Sequence, residues 1–200
     1  RGPRRRRSAA TAAQAPRLAP PWSTCEAVLS EAFHLVGPHG RPALAGLLRR
    51  HAVVPAASAE AAVRGAHIVN VINKSAPPTI KGEWLEPGQH INAAGSNALS
   101  RAEIDDATVK RCDYITVDSR GTAQKECGDL VSSYEKGIIQ WDYLTAIGDV
   151  YAGKAPKRTS PTQITLYESH GMGIQDLYGA ARALELARAR GLGTELPMGL

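Results

Sequence analysis

The sequence predicts an α/β fold: a parallel sheet with helices on both faces. Three observations carry this. From residue 51 onward, segments with strand character alternate with segments of helical period. The strand over Ala66–Ile72 is a mostly apolar run, as expected where both sheet faces are covered. The stretch Gly82–Leu130 places a short apolar strand (Gln89–Ala94), a Gly-Ser-Asn loop, an Arg-x-Glu step and a second strand (Asp113–Val117) in quick succession. That is the layout of the carboxyl half of a dinucleotide-binding sheet, where ligands sit beyond the strand ends, so the expected fold is of the Rossmann type.

The elements follow in order. Residues 1–22 are dominated by Arg, Ala and Pro and bury too little to fold, so they are expected to be disordered. Thr24–His34 and Ala43–Arg50 read as short helices, separated by a Gly/Pro turn over Leu35–Pro42. Val53–Val54 is a stub of strand, and Ser58 caps a helix through about Arg64. After Ala66–Ile72, Lys74–Glu86 is a loop containing Pro77, Pro78 and Trp84. Gln89–Ala94 is the next strand and Glu103–Arg111 a short helix. Asp113–Val117 is a strand. Thr122–Lys136 is a helix with Cys127, Leu130, Val131 and Tyr134 at 3-4 spacing. Leu144–Ala152 is a helix ended by Gly153, and Thr162–Tyr167 is a strand. Gly173–Arg190 is a long helix with Ile174, Leu177, Tyr178, Ala181 and Leu184 on one stripe, stopped by Gly191–Gly193.

Charge narrows the partners. The chain carries a net +5, but residues 1–50 hold nine Arg and only two acids, Glu26 and Glu31. The remaining residues carry fifteen basic and seventeen acidic side chains, so the folded part gives no reason to expect nucleic acid. No apolar run approaches membrane-spanning length. Cys25, Cys112 and Cys127 form no CxxC pair, and no histidine stands beside them at metal-ligand spacing. They read as reduced thiols of a cytoplasmic protein, and no metal site is expected. Three readings of the Arg-rich start are open: a transit peptide, a basic nucleic-acid arm, or out-of-frame or truncated sequence ahead of a real domain. The third is favoured, because Glu26–Arg50 also fails to supply what the later sequence requires.

Candidate site residues lie at strand ends. Gly95-Ser96-Asn97 closes a central strand, where Gly and Asn either serve a tight turn or approach a ligand. Arg101 either anchors a cofactor or forms a surface ion pair with Asp105 or Asp106. Lys74, in Asn73-Lys74-Ser75, could reach a phosphate or simply be solvated. Asp118 or Ser119 is expected to cap the next helix. Gly171-Met-Gly173 follows a strand and opens a helix, as a tight turn or a ligand contact. His170 could serve as acid or base near neutral pH. A lone histidine is also a common hydrogen-bonded packing residue. The Gly-rich turn that would hold a pyrophosphate is missing where it belongs. The nearest upstream candidate, Gly37-Pro-His-Gly40, has Pro38 where an N–H donor is wanted.

Gly82–Leu130 together with YESHGMGIQDLYGAARALELA (residues 167–187) resembles the ornithine cyclodeaminase/mu-crystallin family, from about His51 to Gly193. The resemblance implies an NAD(P)-dependent enzyme transferring hydride between nicotinamide and an amino acid or cyclic imine, with NAD or NADP as cofactor. The alternative is a non-catalytic, ligand-binding or structural protein like mu-crystallin. It implies that Asn73, Ser75, Asn92, Ala93, Gly95, Arg101 and Ser169 contact the cofactor, and that Asn97 and His170 face the substrate. In cyclodeaminating relatives the position of Asn97 is an Asp that handles protons during loss of ammonia. An amide cannot act as a general base, so ornithine cyclodeamination is put in doubt, whereas hydride transfer is less affected. Relatives place a substrate-binding, dimerising domain ahead of the nucleotide domain, and nothing in residues 1–50 matches it. The expected organisation is therefore an atypical segment (1–50), a partial dinucleotide-binding domain (51–160), and a strand and helix (161–200) returning to the substrate domain. The full-length protein is expected to be a homodimer.

Overall fold

The computed structural model describes residues 22–25, 42, 45–46, 53–73, 75–194 and 196. Two parallel sheets form. Among the described residues, β1 (Trp22–Cys25) pairs only with β2 (Val53–Ala56). The main sheet comprises β3 (Ile68–Val71), β4 (His90–Ala93), β5 (Tyr114–Val117), β6 (Thr145–Ala146) and β7 (Thr165–Glu168), in the order β3-β4-β7-β5-β6 with every pair parallel. The late strand β7 thus lies in the centre, between β4 and β5.

Register and alternation set the two faces. One face carries Val69, Ile91, Leu166 and Ile115 in one row and Val71, Ala93, Glu168 and Val117 in the next. Apart from Glu168 this face is the apolar core, packed with Val109, Ala123 and Leu130 from helices. The opposite face carries Asn70, Asn92, Tyr167 and Thr116 in one row.

Local signals explain the helix starts. Ser58 caps α1 (Ala59–Val63), its hydroxyl accepting from the Ala61 N–H at 3.1 Å. Asp105 caps α2 (Asp106–Arg111), accepting from the Thr108 N–H at 2.8 Å. Ser119, one of the two expected caps, does so for α3 (Arg120–Glu126). A 3₁₀ turn, Gly82–Trp84, lies inside the expected 74–86 loop. The last helix, α6 (Gly173–Ala189), matches the expected 173–190 to one residue. It ends as predicted, with Gly191 at φ +62° and the Leu192 N–H bonded to the Ala187 carbonyl at 2.9 Å.

Three expectations need correction. The single helix over Thr122–Lys136 is two: α3 and α4 (Gly128–Glu135), separated by Cys127 in extended conformation. The cause is tertiary. A Cβ at Gly128 would lie 1.9 Å from the Arg101 carbonyl oxygen, so the chain is pressed against the 98–101 loop just where a helix would have to continue. The helix over Leu144–Ala152 begins instead as β6, which pairs with Thr116 and Val117, and only Ile147–Tyr151 is helical (α5). Thr24 and Cys25, expected in a helix, belong to β1, because β2 offers them a parallel strand edge. Trp22, the last residue of the segment 1–22 expected to be disordered, likewise belongs to β1; the remainder of that segment, the rest of the 24–34 helix, Gly37–Gly40 and Lys74 lie outside the described residues.

Candidate functional site

The carboxyl ends of β3, β4, β5 and β7 all open toward one edge of the sheet, and the turns that leave them carry the candidate residues. A strut fixes the first two. The Glu103 carboxylate is buried and accepts from the backbone N–H of Gly95 at 2.5 Å and from that of Asn73. Gly95 is required by close approach: a Cβ there would lie 2.1 Å from Glu103 Oε1. Glu103 is held in turn by Asp129, whose Oδ1 accepts from the N–H groups of Glu103 (2.6 Å) and Ile104 (3.0 Å). Burial pushes the Asp129 carboxyl up to about 6. Ser96 completes the frame. Its hydroxyl donates to the Arg101 carbonyl at 2.9 Å and accepts from the Asp129 N–H at 3.0 Å.

On this frame two sequence candidates meet. Arg101 Nη1 donates to Asn97 Oδ1 at 2.6 Å, with Asn97 exposed and Arg101 half-buried. The alternative partners of Arg101 are otherwise engaged: Asp106 pairs with Lys136, and Asp105 caps α2. Asn73 and Ser75 are tied into their own loop. Asn73 Nδ2 donates to Thr79 Oγ1 at 2.5 Å, and the Ser75 hydroxyl lies 2.9 Å from the same oxygen. Asn92 sits on the polar face, where its Nδ2 donates to Asn70 Oδ1 at 2.8 Å, while Ala93 is buried on the core face. A cavity of about 400 Å³ opens on the polar face between Asn92, Thr116, Tyr167 and the α5 residues Ile147 and Tyr151.

Asp118 was missed. Sequence reasoning offered it as a helix cap; instead it organises the turn after β7. Its carboxylate accepts from the Ser169 hydroxyl (2.9 Å), the N–H groups of His170 and Gly171 (both 2.8 Å), Gln175 Nε2 (3.2 Å) and the Tyr167 hydroxyl. Burial pushes this carboxyl up, but the hydrogen bonds from Tyr167, Ser169, Gly171 and His170 outweigh it and hold Asp118 below the ordinary aspartate value. Gly171 takes φ +77°, which the turn requires and glycine allows. A side-chain carbon at Gly171 or Gly173 would meet nothing within 4 Å, so the backbone of this turn is accessible. The signal available in the sequence was an acid at a strand end; its partners lie about 50 residues away.

His170 turns inward. Its ring is buried, both nitrogens lack a hydrogen-bond partner, and burial lowers its pKa against the opposing pull of Asp118 and Glu126. It adjoins Cys127 and Glu168.

A parallel sheet whose carboxyl edge collects amide, hydroxyl and open glycine turns defines a Rossmann-like α/β domain with a ligand site at that edge. The model of the ornithine cyclodeaminase/mu-crystallin family matches residues 38–190, and the chain belongs to that family. It is 37% identical over 134 residues to an uncharacterised cyclodeaminase of Sinorhizobium fredii, covering 66% of this chain and 40% of the relative. It is 35% identical over 123 residues to the ketimine reductase mu-crystallin of Rattus norvegicus, covering 62% and 36%. Its fold is similar to that of the Thermococcus litoralis Δ1-pyrroline-2-carboxylate reductase in complex with NADH and L-proline, with a TM-score of 0.68 and 27% identity over 80% of this chain and 51% of that one. The chain therefore spans well under two thirds of the length of the relatives it matches. Among the described residues, no helix is long and apolar enough to cross a membrane.

Proposed function

We propose that this chain is the nicotinamide-side part of an NAD(P)-dependent oxidoreductase that acts on an amino acid or cyclic imine. The carrying observation is the Arg101–Asn97 hydrogen bond at the open end of β4, on a backbone pinned by Glu103 and Asp129. A preorganised polar pair at a central strand end is what positions a reacting group. The residues present fit that half of the cofactor, since the 171–173 turn is open and flanked by the Ser169 hydroxyl. Among the described residues no Gly-rich turn follows the first strand of the sheet to hold the pyrophosphate. When bound, the nicotinamide supplies hydride chemistry. Ser169, Gly95 and the backbone at Ala93 would border the ring; Asn73, Ser75 and Asn92 would border the ribose side. Asn97 would bind substrate as an amide, oriented by Arg101. Asp118 acts as a positioning residue, since it sets the Ser169 hydroxyl and the turn beside it. His170 contributes through its backbone N–H, which helps hold Asp118.

Asn97 favours imine reduction over cyclodeamination, because it removes the carboxylate that would take a proton. In the complete open reading frame, NADH or NADPH should be consumed with a cyclic imine carboxylate, and ammonia release from a diamino acid should be low. Asn97→Asp should raise ammonia release by roughly 10²-fold or more, the contribution of a positioned base. A folded full-length protein that turns over no imine or amino acid would sink the oxidoreductase reading. Saturable dinucleotide binding without turnover would then support the second reading, a mu-crystallin-like ligand-binding protein. The exposed stripe Ile174, Leu177, Tyr178 and Leu184 on α6 supports a homodimer or domain contact in the full-length protein. A cytoplasmic location accords with Cys112 and Cys127, which are both free thiols.

A further inference from the structure

Glu168 is out of place on its face of the sheet. It is fully buried in a row with Val71, Ala93 and Val117, and its Oε1 has no hydrogen-bond partner. A buried carboxyl group with one oxygen unsatisfied is costly; it is relieved either by holding a proton or by meeting a cation. Two other metal-ligating groups stand beside it. Cys127 Sγ is 3.7 Å from Glu168 Oε2, and its place there follows from the α3–α4 break that makes Cys127 extended. The His170 ring, nine-tenths buried, offers two nitrogens that bond to nothing. One ligand atom from each of the three residues lies within 4.8 Å of the other two.

We propose that Cys127, Glu168 and His170 form a binding site for a divalent transition-metal ion of the zinc class, a role beyond the oxidoreductase reading. Tetrahedral zinc with sulfur at about 2.3 Å and nitrogen or oxygen at about 2.0–2.1 Å spaces its ligand atoms about 3.3–3.5 Å apart. The cysteine–glutamate separation of 3.7 Å already approaches that spacing, and the histidine, within 4.8 Å of both, would close the remainder by side-chain rotation. Mixed sulfur, nitrogen and carboxylate donors suit zinc or cobalt(II) and not magnesium or calcium, which prefer all-oxygen sets. Charge fits as well. Burial holds both the Cys127 thiol and the Glu168 carboxyl toward their protonated forms. A divalent ion would displace one proton from each, leaving a thiolate, a carboxylate and a neutral imidazole around M²⁺, an uncharged complex suited to the interior. The three protein ligands leave a fourth position for water or another exogenous ligand.

The test uses the tag-free full chain, stripped with a chelator and titrated with Zn²⁺ by calorimetry and with Co²⁺ by absorption. The expected result is saturable 1:1 binding, with a thiolate-to-cobalt charge-transfer band in the near ultraviolet. Cys127→Ser should abolish that band. Glu168→Gln and His170→Ala should each weaken Zn²⁺ binding by roughly tenfold or more. Glu168→Gln is nearly isosteric and removes a buried acid, so it keeps the test valid if Cys127→Ser does not fold. Absence of saturable binding in the wild type would overturn the proposal. So would a cobalt complex with no thiolate band, or Zn²⁺ affinity unchanged in Glu168→Gln and His170→Ala, which would place the metal on other histidines.

Discussion

Replacing Gly95 by alanine should be among the most damaging single-atom additions in this chain. The new Cβ would stand 2.1 Å from Glu103 Oε1, 2.5 Å from Cδ and 2.7 Å from Oε2, all well inside van der Waals contact. Neither partner yields freely. Glu103 is buried, its backbone is tied to Asp129, and its carboxylate holds the N–H groups of Gly95 and Asn73. Relief requires displacing the carboxylate by more than about an ångström, so overpacking of about 1–3 kcal/mol combines with a weakened charged hydrogen bond of about 1.5–3 kcal/mol. A loss of about 3 kcal/mol or more follows, which for a chain of this size lowers Tm by about 6–12 °C. Thermal denaturation followed by circular dichroism measures it, with Gly148→Ala as the control. At Gly148 an added Cβ meets nothing within 4 Å, and inside α5 the change should be neutral or stabilising by up to about 1 kcal/mol. A Gly95→Ala protein melting within about 2 °C of wild type would refute the idea that Glu103 and Gly95 form a rigid strut.

Asp118 should dominate the acid limb of stability. Its folded-state pKa is depressed, so its contribution is present above the ordinary aspartate value and is lost as pH falls through the lower folded value. Urea denaturation from pH 5 downward should therefore show a shallower loss in Asp118→Asn than in wild type; parallel curves would remove Asp118 as the hub of the β7 turn. The isolated chain should bind NADH or NADPH weakly, because backbone donors for the pyrophosphate supply much of the affinity. Calorimetry at millimolar cofactor should detect little heat, and a micromolar Kd would mean that the phosphate site lies on residues not assigned to it above.

The parts of the fold legible in the sequence are those fixed by nearby residues. β4, β5 and β7 announce themselves through short β-branched and apolar runs bounded by breakers, and each was placed within three residues at either end. The ends of α6 follow from the glycines around it. What the sequence hid depends on contacts across the fold. The break at Cys127 is set by the Arg101 carbonyl 26 residues upstream, and β6 exists only because β5 offers an edge. Asn97 and Arg101 could be picked out singly, yet their pairing depends on a loop shape that Glu103, Ser96 and Asp129 impose. Asp118 looked like an ordinary cap because four of its five partners lie on the turn after β7 or at the start of α6, and the fifth, Tyr167, near the end of β7. The inward turn of His170 was equally invisible, since nothing in SHG says which way an imidazole points.

Helix α6 has one more consequence. None of its 17 residues is buried, and Ile174, Leu177, Tyr178 and Leu184 stand more than half exposed. A helix of that length without a packed face is marginal in water, since its order then rests on backbone hydrogen bonds that fray from both ends. Its amide protons should therefore trade with solvent far faster than those of β4 or β7, whose bonds open only when the sheet itself opens. Whatever covers the Ile174–Leu184 stripe in the working protein sets the lifetime of this helix. Since α6 begins directly after the Ser169–Met172 turn, that cover also governs how firmly one wall of the ligand site is held.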